Sequence, residues 1–350
     1  MTWRSGLGLG ALALVLAACG GASEGKTEFT ADPLTQTVPA STIPADTPVE
    51  SGVFRLTGRS TLTYDLVRAA AGLGCFGREG LAVRIRESES DAAAGAELRN
   101  GTADGAVMPT DAALALAARG QQLRIVLLLT SLTASEQIVA GAGIDDAAAL
   151  DGTRVAYQPD TDGELLLRAT LATADLPITR VRLLPTADPG ALLVAGGAEA
   201  AAVGAAVGAD LAALDPTIHG IATAGDQPGL LSRVLVVRED VARTKPGQVL
   251  AFIRAWQDLY LRERGDPEVA AADIAARSNR PVDEVAFGLV GLSLYDVPAN
   301  AVELLPGGEF YDRTMRAISA ASTASGRLAR PVDETALIDG AFAQAVATAD

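Results

Sequence analysis

Residues 98–108 read LRNGTADGAVM, and residues 193–203 read LVAGGAEAAAV. Leu98, Gly101, Asp104 and Ala106 of the first stretch recur as Leu193, Gly196, Glu199 and Ala201 of the second, at a constant offset of 95. Each stretch reads as a helix end, a glycine stop, an acid and a strand of small residues. Alanine matches alanine cheaply in this chain, so the leucine, glycine and acid pairs carry the argument. They imply two copies of one unit.

Working outward, the first copy predicts strands at 53–57, 81–85, 105–108 and 123–129, with helices at about 62–73, 91–100 and 111–119. The continuous apolar run at 123–129 suits a strand buried on both faces. The second copy predicts strands at 153–157, 181–184 and 200–203, with helices at about 163–174 and 189–195. Strands alternating with helices imply βαβ units, hence an α/β fold of mostly parallel sheets flanked by helices. Two such units make two lobes with a cleft between them, and ligands of open parallel sheets lie beyond the carboxyl ends of the strands.

After His219 comes one more strand, 233–237, and then a helical C-terminal tail. Val249, Phe252, Ile253, Trp256, Leu259 and Tyr260 follow the helical period, giving a wide apolar face. Pro267 and Pro281 stand where helices begin. The tail is expected to wrap back on the first lobe. The chain then crosses between lobes near 130–140 and 225–234, and two crossings make a hinge. The expected division is lobe 1 from 51–135 plus 230–350, and lobe 2 from 136–229.

The start of the chain fixes the compartment. Arg4 precedes a short apolar run at 11–18, too short to span a bilayer. Basic start, apolar run and small residues describe a secretory signal over 1–18. It ends in Leu16-Ala17-Ala18-Cys19-Gly20, which resembles a lipobox, so Cys19 is expected to be lipidated and to anchor the chain outside the cytoplasm. The alternative is ordinary cleavage nearby with Cys19 incidental. Residues 19–50, rich in Thr, Pro, Ser and Ala, read as a disordered tether.

Composition excludes several classes. The formal charge is −15, and −16 once Arg4 is removed with the signal, and no basic stripe accompanies it. Nucleic-acid binding, which rests on Lys and Arg neutralising phosphates, is not expected. Apart from Cys19, only Cys75 remains, in an apolar context that reads as structural rather than reactive. With a single histidine, His219, the chain lacks the groups for cysteine-rich metal sites and most imidazole sites. No metal or cofactor is expected.

Four motifs carry a family resemblance. Residues 74–83, GCFGREGLAV, look like the family's "GYFxxEGLdV", and residues 98–104, LRNGTAD, like its "LxxGxxD". Residues 150–156, LDGTRVA, are similar to "LkGkrVav", and residues 236–240, VVRED, followed by Pro246, resemble "lvvredfxxxnP". In this order the motifs resemble the substrate-binding proteins of ABC importers for nitrate, sulfonates, taurine and thiamine-precursor pyrimidines. The resemblance covers nearly all of 52–345. It implies a type II periplasmic-binding-protein fold with a two-strand hinge, a monomer that closes on a small sulfonate-, nitrate- or pyrimidine-like molecule and delivers it to a permease and ATPase, and no catalysis. The chain departs from the family after Glu199: where members show "DAaxxWxP", residues 199–206 read EAAAVGAA, so the aromatic wall is missing.

The strand-end loops supply the candidate ligand residues: Arg59, Ser60, Thr61, Met108, Thr110 and Asp111 in the first lobe, Tyr157, Gln158, Asp160, Thr161, Asp162 and Gly204 in the second, and Ser131 and Thr133 at the crossing. Ser60, Thr61, Thr110 and Asp111 stand at helix starts, where free N–H groups suit an anion and where plain N-capping also occurs. Arg59 suits a carboxylate, sulfonate or phosphate, or else is a solvated surface charge. Asp160 and Asp162 already occupy the positive end of a helix, which disfavours a small inorganic anion and tolerates amines or hydroxyls. Tyr64 and Tyr157 stack a ring or serve as core aromatics. Two competitors remain. One is a lipoprotein that senses or scaffolds without transport. The other is an enzyme on the same fold, for which a thiamine-pyrimidine synthase is the precedent; its cysteine-rich iron motif is absent here.

Overall fold

The computed structural model describes residues 42–349, all within one unit, Ala40–Asp350. The signal at 1–18, Cys19 and the expected tether up to residue 41 lie outside the described residues.

The first copy of the repeat folds as β1 (Val53–Arg59), α1 (Leu62–Gly72), α2 (Cys75–Arg78), β2 (Ala82–Ser88), α3 (Asp91–Arg99), β3 (Gly105–Pro109), α4 (Thr110–Ala118) and β4 (Leu123–Leu132). The second folds as β5 (Glu136–Ala140), β6 (Arg154–Tyr157), α5 (Asp162–Thr173), β7 (Arg182–Pro185), α6 (Pro189–Val194), β8 (Ala200–Gly204), α7 (Ala205–Leu214) and β9 (His219–Thr223). The chain then returns as β10 (Ser232–Arg238) and continues through α8 (Glu239–Thr244), α9 (Pro246–Glu263), α10 (Pro267–Ala275) and α11 (Val282–Val290). It ends with β11 (Leu292–Leu294), α12 (Val297–Glu303), α13 (Met315–Ala324) and α14 (Ala341–Ala347).

The repeat is real at atomic detail. Gly101 and Gly196 stop α3 and α6 at φ of +71° and +70°, a conformation that costs any residue with a Cβ. Asp104, the residue before β3, accepts the backbone N–H of Arg55 at 2.9 Å and its guanidinium at 2.7 Å. Glu199, the residue before β8, accepts the backbone N–H of Arg154 at 2.7 Å and its guanidinium at 2.6 Å. Each acid returns its own N–H to the carbonyl of the same arginine, at 2.8 and 2.9 Å. The acid therefore clamps β1 to β3 in the first copy and β6 to β8 in the second, at their amino ends. Asp104 is fully buried; burial pushes its carboxyl up, but the hydrogen bonds from Arg55 and the charges of Lys245 and Arg55 together hold it below the usual carboxylate range.

Two sheets result, ordered β11-β4-β10-β3-β1-β2 and β7-β6-β8-β5-β9. Within each, the strands of the repeat run one way, and a single strand inserted between them runs against its neighbours. That strand is β10 in the first sheet, antiparallel to β3 and β4, and β5 in the second, antiparallel to β8 and β9. In both cases it is the strand that has just arrived from the other sheet. The short β11 adds an antiparallel edge to β4. This is a two-lobed α/β architecture of the type II periplasmic-binding-protein kind, with sheets whose repeat strands are parallel as expected.

β4 is buried on both faces. Leu128 faces one core, with Met108, Val234 and Val236, and Leu127 and Leu129 face another, with Phe54, Phe252 and Trp256. Val249, Phe252, Ile253, Trp256 and Leu259 of α9 are at most 1% exposed, and the Trp256 indole N–H donates to the Tyr295 carbonyl at 2.8 Å. Tyr260 departs from the expected stripe and instead meets Arg264 at the surface, 5.8 Å from guanidinium to ring centre. Asn300, fully buried, acts as a strand partner for β4: its amide accepts from the Leu128 N–H at 2.6 Å and donates to the Leu128 carbonyl at 2.9 Å.

Two expectations need correction. The tether does not extend to residue 50. Glu50 caps α9 from 197 residues away, accepting the N–H groups of Gly247 and Gln248 at 3.1 and 2.9 Å, and Val49 packs against the first-lobe core. Its low apolar content hid this, because the segment is fixed by a helix N-terminus rather than by its own burial. The tail also does more than return to the first lobe. α14 packs on α9 and α12, but α13 lies against both α4 and α5, so it touches both lobes. Cys75 is buried beneath α9, and burial pushes its thiol up to about 11, as a structural cysteine requires.

Candidate functional site

Four parallel strands end at one place. The carboxyl ends of β1 and β3 bring Arg59 and Pro109, and those of β6 and β8 bring Tyr157 and Gly204. The inserted strands run the other way, so they arrive at the same place by their amino ends. Arg233 of β10 pairs with Pro109, and Glu136 of β5 pairs with Gly204. A cavity of about 560 Å³ opens there between the lobes, walled chiefly by Arg59, Asp91, Asp111, Glu136, Asp162 and Arg327.

Its charges are organised in layers. Arg233, almost fully buried, donates from Nη2 to Asp162 Oδ2 at 2.6 Å, joining the first sheet to the start of α5. Arg327, from the loop after α13, donates to Asp111 Oδ2 at 2.5 Å, to the Thr161 carbonyl at 2.9 Å and to Glu164 at 3.3 Å. Its Nε–H is buried with no hydrogen-bond partner and lies 3.8 Å from Asp160. Arg59 stands more openly, 3.8 Å from Asp91. Glu136 makes no side-chain hydrogen bond or ion pair with the other described residues. Burial, then the nearby Asp162, push its carboxyl up to about 7 against the opposing pull of Arg233. Asp91 is likewise raised by burial, with Arg59 and Arg233 opposing.

Of the residues expected from sequence, Arg59, Asp111, Asp160, Thr161 and Asp162 line the cavity. Thr161 also caps α5, accepting from Glu164 N–H at 3.4 Å, and Asp160 sits at a φ of +60°, which its short polar side chain tolerates. The others do not line it. Thr61 caps α1 through Tyr64 N–H, and Ser60 precedes it. Tyr64 and Met108 are core residues at 0% and 1% exposure, with the Tyr64 phenol pushed up by burial. Thr110 shares a hydroxyl bond of 2.7 Å with Ser232, Ser131 accepts from Gly229 N–H at 3.0 Å, and Thr133 donates to the Gly291 carbonyl at 3.2 Å. Tyr157 lies under Arg168 at 5.9 Å, Gln158 uses its carbonyl to hold the Thr161 hydroxyl, and Gly204 begins α7. Hydroxyl and aromatic side chains at strand ends were thus largely drawn into caps, core and crossing.

Sequence reasoning missed Asp91, Arg119, Glu136, Arg233 and Arg327. Glu136 and Arg233 fall outside the rule that ligands lie beyond the carboxyl ends of parallel strands, because the reversed strands β5 and β10 present their amino ends there. The available signal was the crossing itself, since a strand entering a parallel sheet from outside must start at the cleft. Among the described residues no cluster of His, Cys, Asp and Glu could hold a metal, and no helix is long and apolar enough to cross a membrane.

Solved structures share this fold. The periplasmic aliphatic sulphonate binding protein SsuA from Escherichia coli superposes with a TM-score of 0.65 at 16% identity, over 83% of this chain and 98% of that one. The periplasmic nitrate-binding protein NrtA from Synechocystis gives 0.58 at 14% identity, over 86% and 90%. A mutant of DSZB in complex with biphenyl-2-sulfinic acid gives 0.54 at 14%, over 85% and 99%. At these identities the likeness is one of fold. No curated protein sequence matches the chain. The family described as NMT1/THI5 like matches residues 66–270, from within α1 into α10, more than half of the chain, including both crossings and all of the repeat except β1 and the start of α1. The chain therefore belongs to the NMT1/THI5-like family.

Proposed function

We propose that this chain is the solute-binding lipoprotein of an ABC importer, anchored outside the cytoplasm through Cys19, which captures a small polar organic molecule between lobes and delivers it to a permease. The observation that carries the reading is the convergence of strand ends from two sheets on one cavity, joined by crossings at 133–135 and 224–231. We take lobe 1 as 51–135 plus 230–350 and lobe 2 as 136–229. A ligand touching both walls favours the closed population by its differential affinity for that form.

Catalysis is the weaker reading. Cys75 is buried and its thiol raised, and His219 stands at the start of β9, 3.5 Å from Asp145 and away from the cavity. Within the cavity no nucleophile is paired with a base. Small-angle scattering with and without saturating solute tests capture, with a smaller radius of gyration expected when loaded. Loss of solute uptake on deletion separates transport from sensing alone. An unchanged radius together with intact uptake would defeat the proposal.

A further inference from the structure

We propose that the solute held in the interlobe cavity carries a positively charged amine, which seats against Glu136. This rests on the capture reading above and narrows it to a ligand class.

Three observations converge. The cavity wall holds the carboxylates of Asp91, Asp111, Glu136, Asp160 and Asp162 against the guanidiniums of Arg59, Arg119 and Arg327. The recessed arginines are already paired, Arg233 to Asp162 at 2.6 Å and Arg327 through its terminal nitrogens to Asp111 and Glu164 at 2.5 and 3.3 Å, while the Arg327 Nε–H, without a hydrogen bond, faces Asp160 at 3.8 Å. An incoming anion must compete with those carboxylates for them. The recessed carboxylate of Glu136, by contrast, has no counter-ion of its own, and Arg233 nearby is committed to Asp162.

The helix ends give the same answer independently. A helix amino terminus is where an anion gains most, from free N–H groups and the helix dipole. Three helices point theirs at this cavity, and each carries its own acid in the first turn: Asp91 on α3, Asp111 on α4, Asp162 and Glu164 on α5. Those positions are filled by the chain itself. An ammonium group meets the opposite situation, because it supplies the charge that Glu136 lacks and the three donors a carboxylate accepts. The raised carboxyl of Glu136 agrees, since a cation bound beside it would restore its ionised form and release a proton on binding.

The test is calorimetric and thermal-shift titration of the full chain, in mild detergent, with 1,4-diaminobutane and ethanolamine against ethanesulfonate and nitrate. An amine is expected to stabilise the chain saturably, about tenfold more weakly at pH 6 than at pH 8, as ionisation of a group titrating near 7 dictates. Glu136→Gln is expected to weaken amine binding at least tenfold, and Glu136→Asp, which keeps the charge, to retain most of it. Tighter binding of ethanesulfonate or nitrate than of either amine overturns the amine class while leaving capture standing. Amine binding unchanged in Glu136→Gln also overturns it. A panel inert throughout, with no change in scattering radius, overturns this inference and the capture reading together.

Discussion

Glu136→Gln also makes a prediction for the empty protein. In an unfolded chain this carboxyl titrates near 4.5, and in the folded one near 7. Between those values the native state binds the extra proton, so stability falls as pH rises through the window and the full penalty is present above pH 7. A displacement of that size corresponds to roughly 3 kcal/mol, of which about 2–3 kcal/mol develops between pH 5 and pH 8. Gln keeps the shape and abolishes the titration, so its own amide adds a cost that does not depend on pH. The stability difference between variant and parent should therefore move in the variant's favour by about 2–3 kcal/mol from pH 5 to pH 8, on the order of 5 °C in unfolding temperature. Urea unfolding at the two pH values, followed by tryptophan fluorescence, measures it. A difference that is flat with pH, or that moves against the variant at high pH, refutes the view that Glu136 is recessed and without a counter-charge.

Arg327→Ala strips Asp111 and Glu164 of a shared guanidinium and should cost about 3 kcal/mol in denaturant unfolding, and it should enlarge the ligand-free scattering radius because Arg327 ties α4 to the start of α5. Asp104→Ala should cost about 3 kcal/mol at pH 7, whereas the equivalent Glu199→Ala, with its side chain 40% exposed, should cost about 1 kcal/mol or less. Because the Asp104 carboxyl is held low, its contribution is present above its unfolded value and should be lost as pH falls through its folded one, a trend readable by acid titration. Asn300→Leu should cost on the order of 2 kcal/mol in urea unfolding, since it orphans a buried N–H and C=O of β4. Glu50→Ala should destabilise by about 1 kcal/mol by uncapping α9, and amide exchange at Gly247 and Gln248 should rise.

Much of the lobe architecture was legible in one dimension. The 95-residue offset named the two glycine stops and the two acids, and each acid proved to clamp an arginine one strand away. Local periodicity sufficed for β4 and α9, whose apolar runs permit little else. It failed at β5, where Glu136 and Gln137 lead a strand of five residues, and at 42–50, where a polar segment is fixed by another helix's end.

What the sequence by itself determined was the set of repeating units and the positions where backbone must turn, because those follow from side-chain period and from glycine stereochemistry within a few residues. Only the tertiary structure decided which charges share a cavity. Glu136 and Arg327 line it from positions nearly two hundred residues apart, and Arg233 stands behind it on Asp162, placed there by two reversed strands and a returning tail. Their pairing and the chemistry they favour depend on through-space distance and loss of water, neither of which is encoded in local spacing.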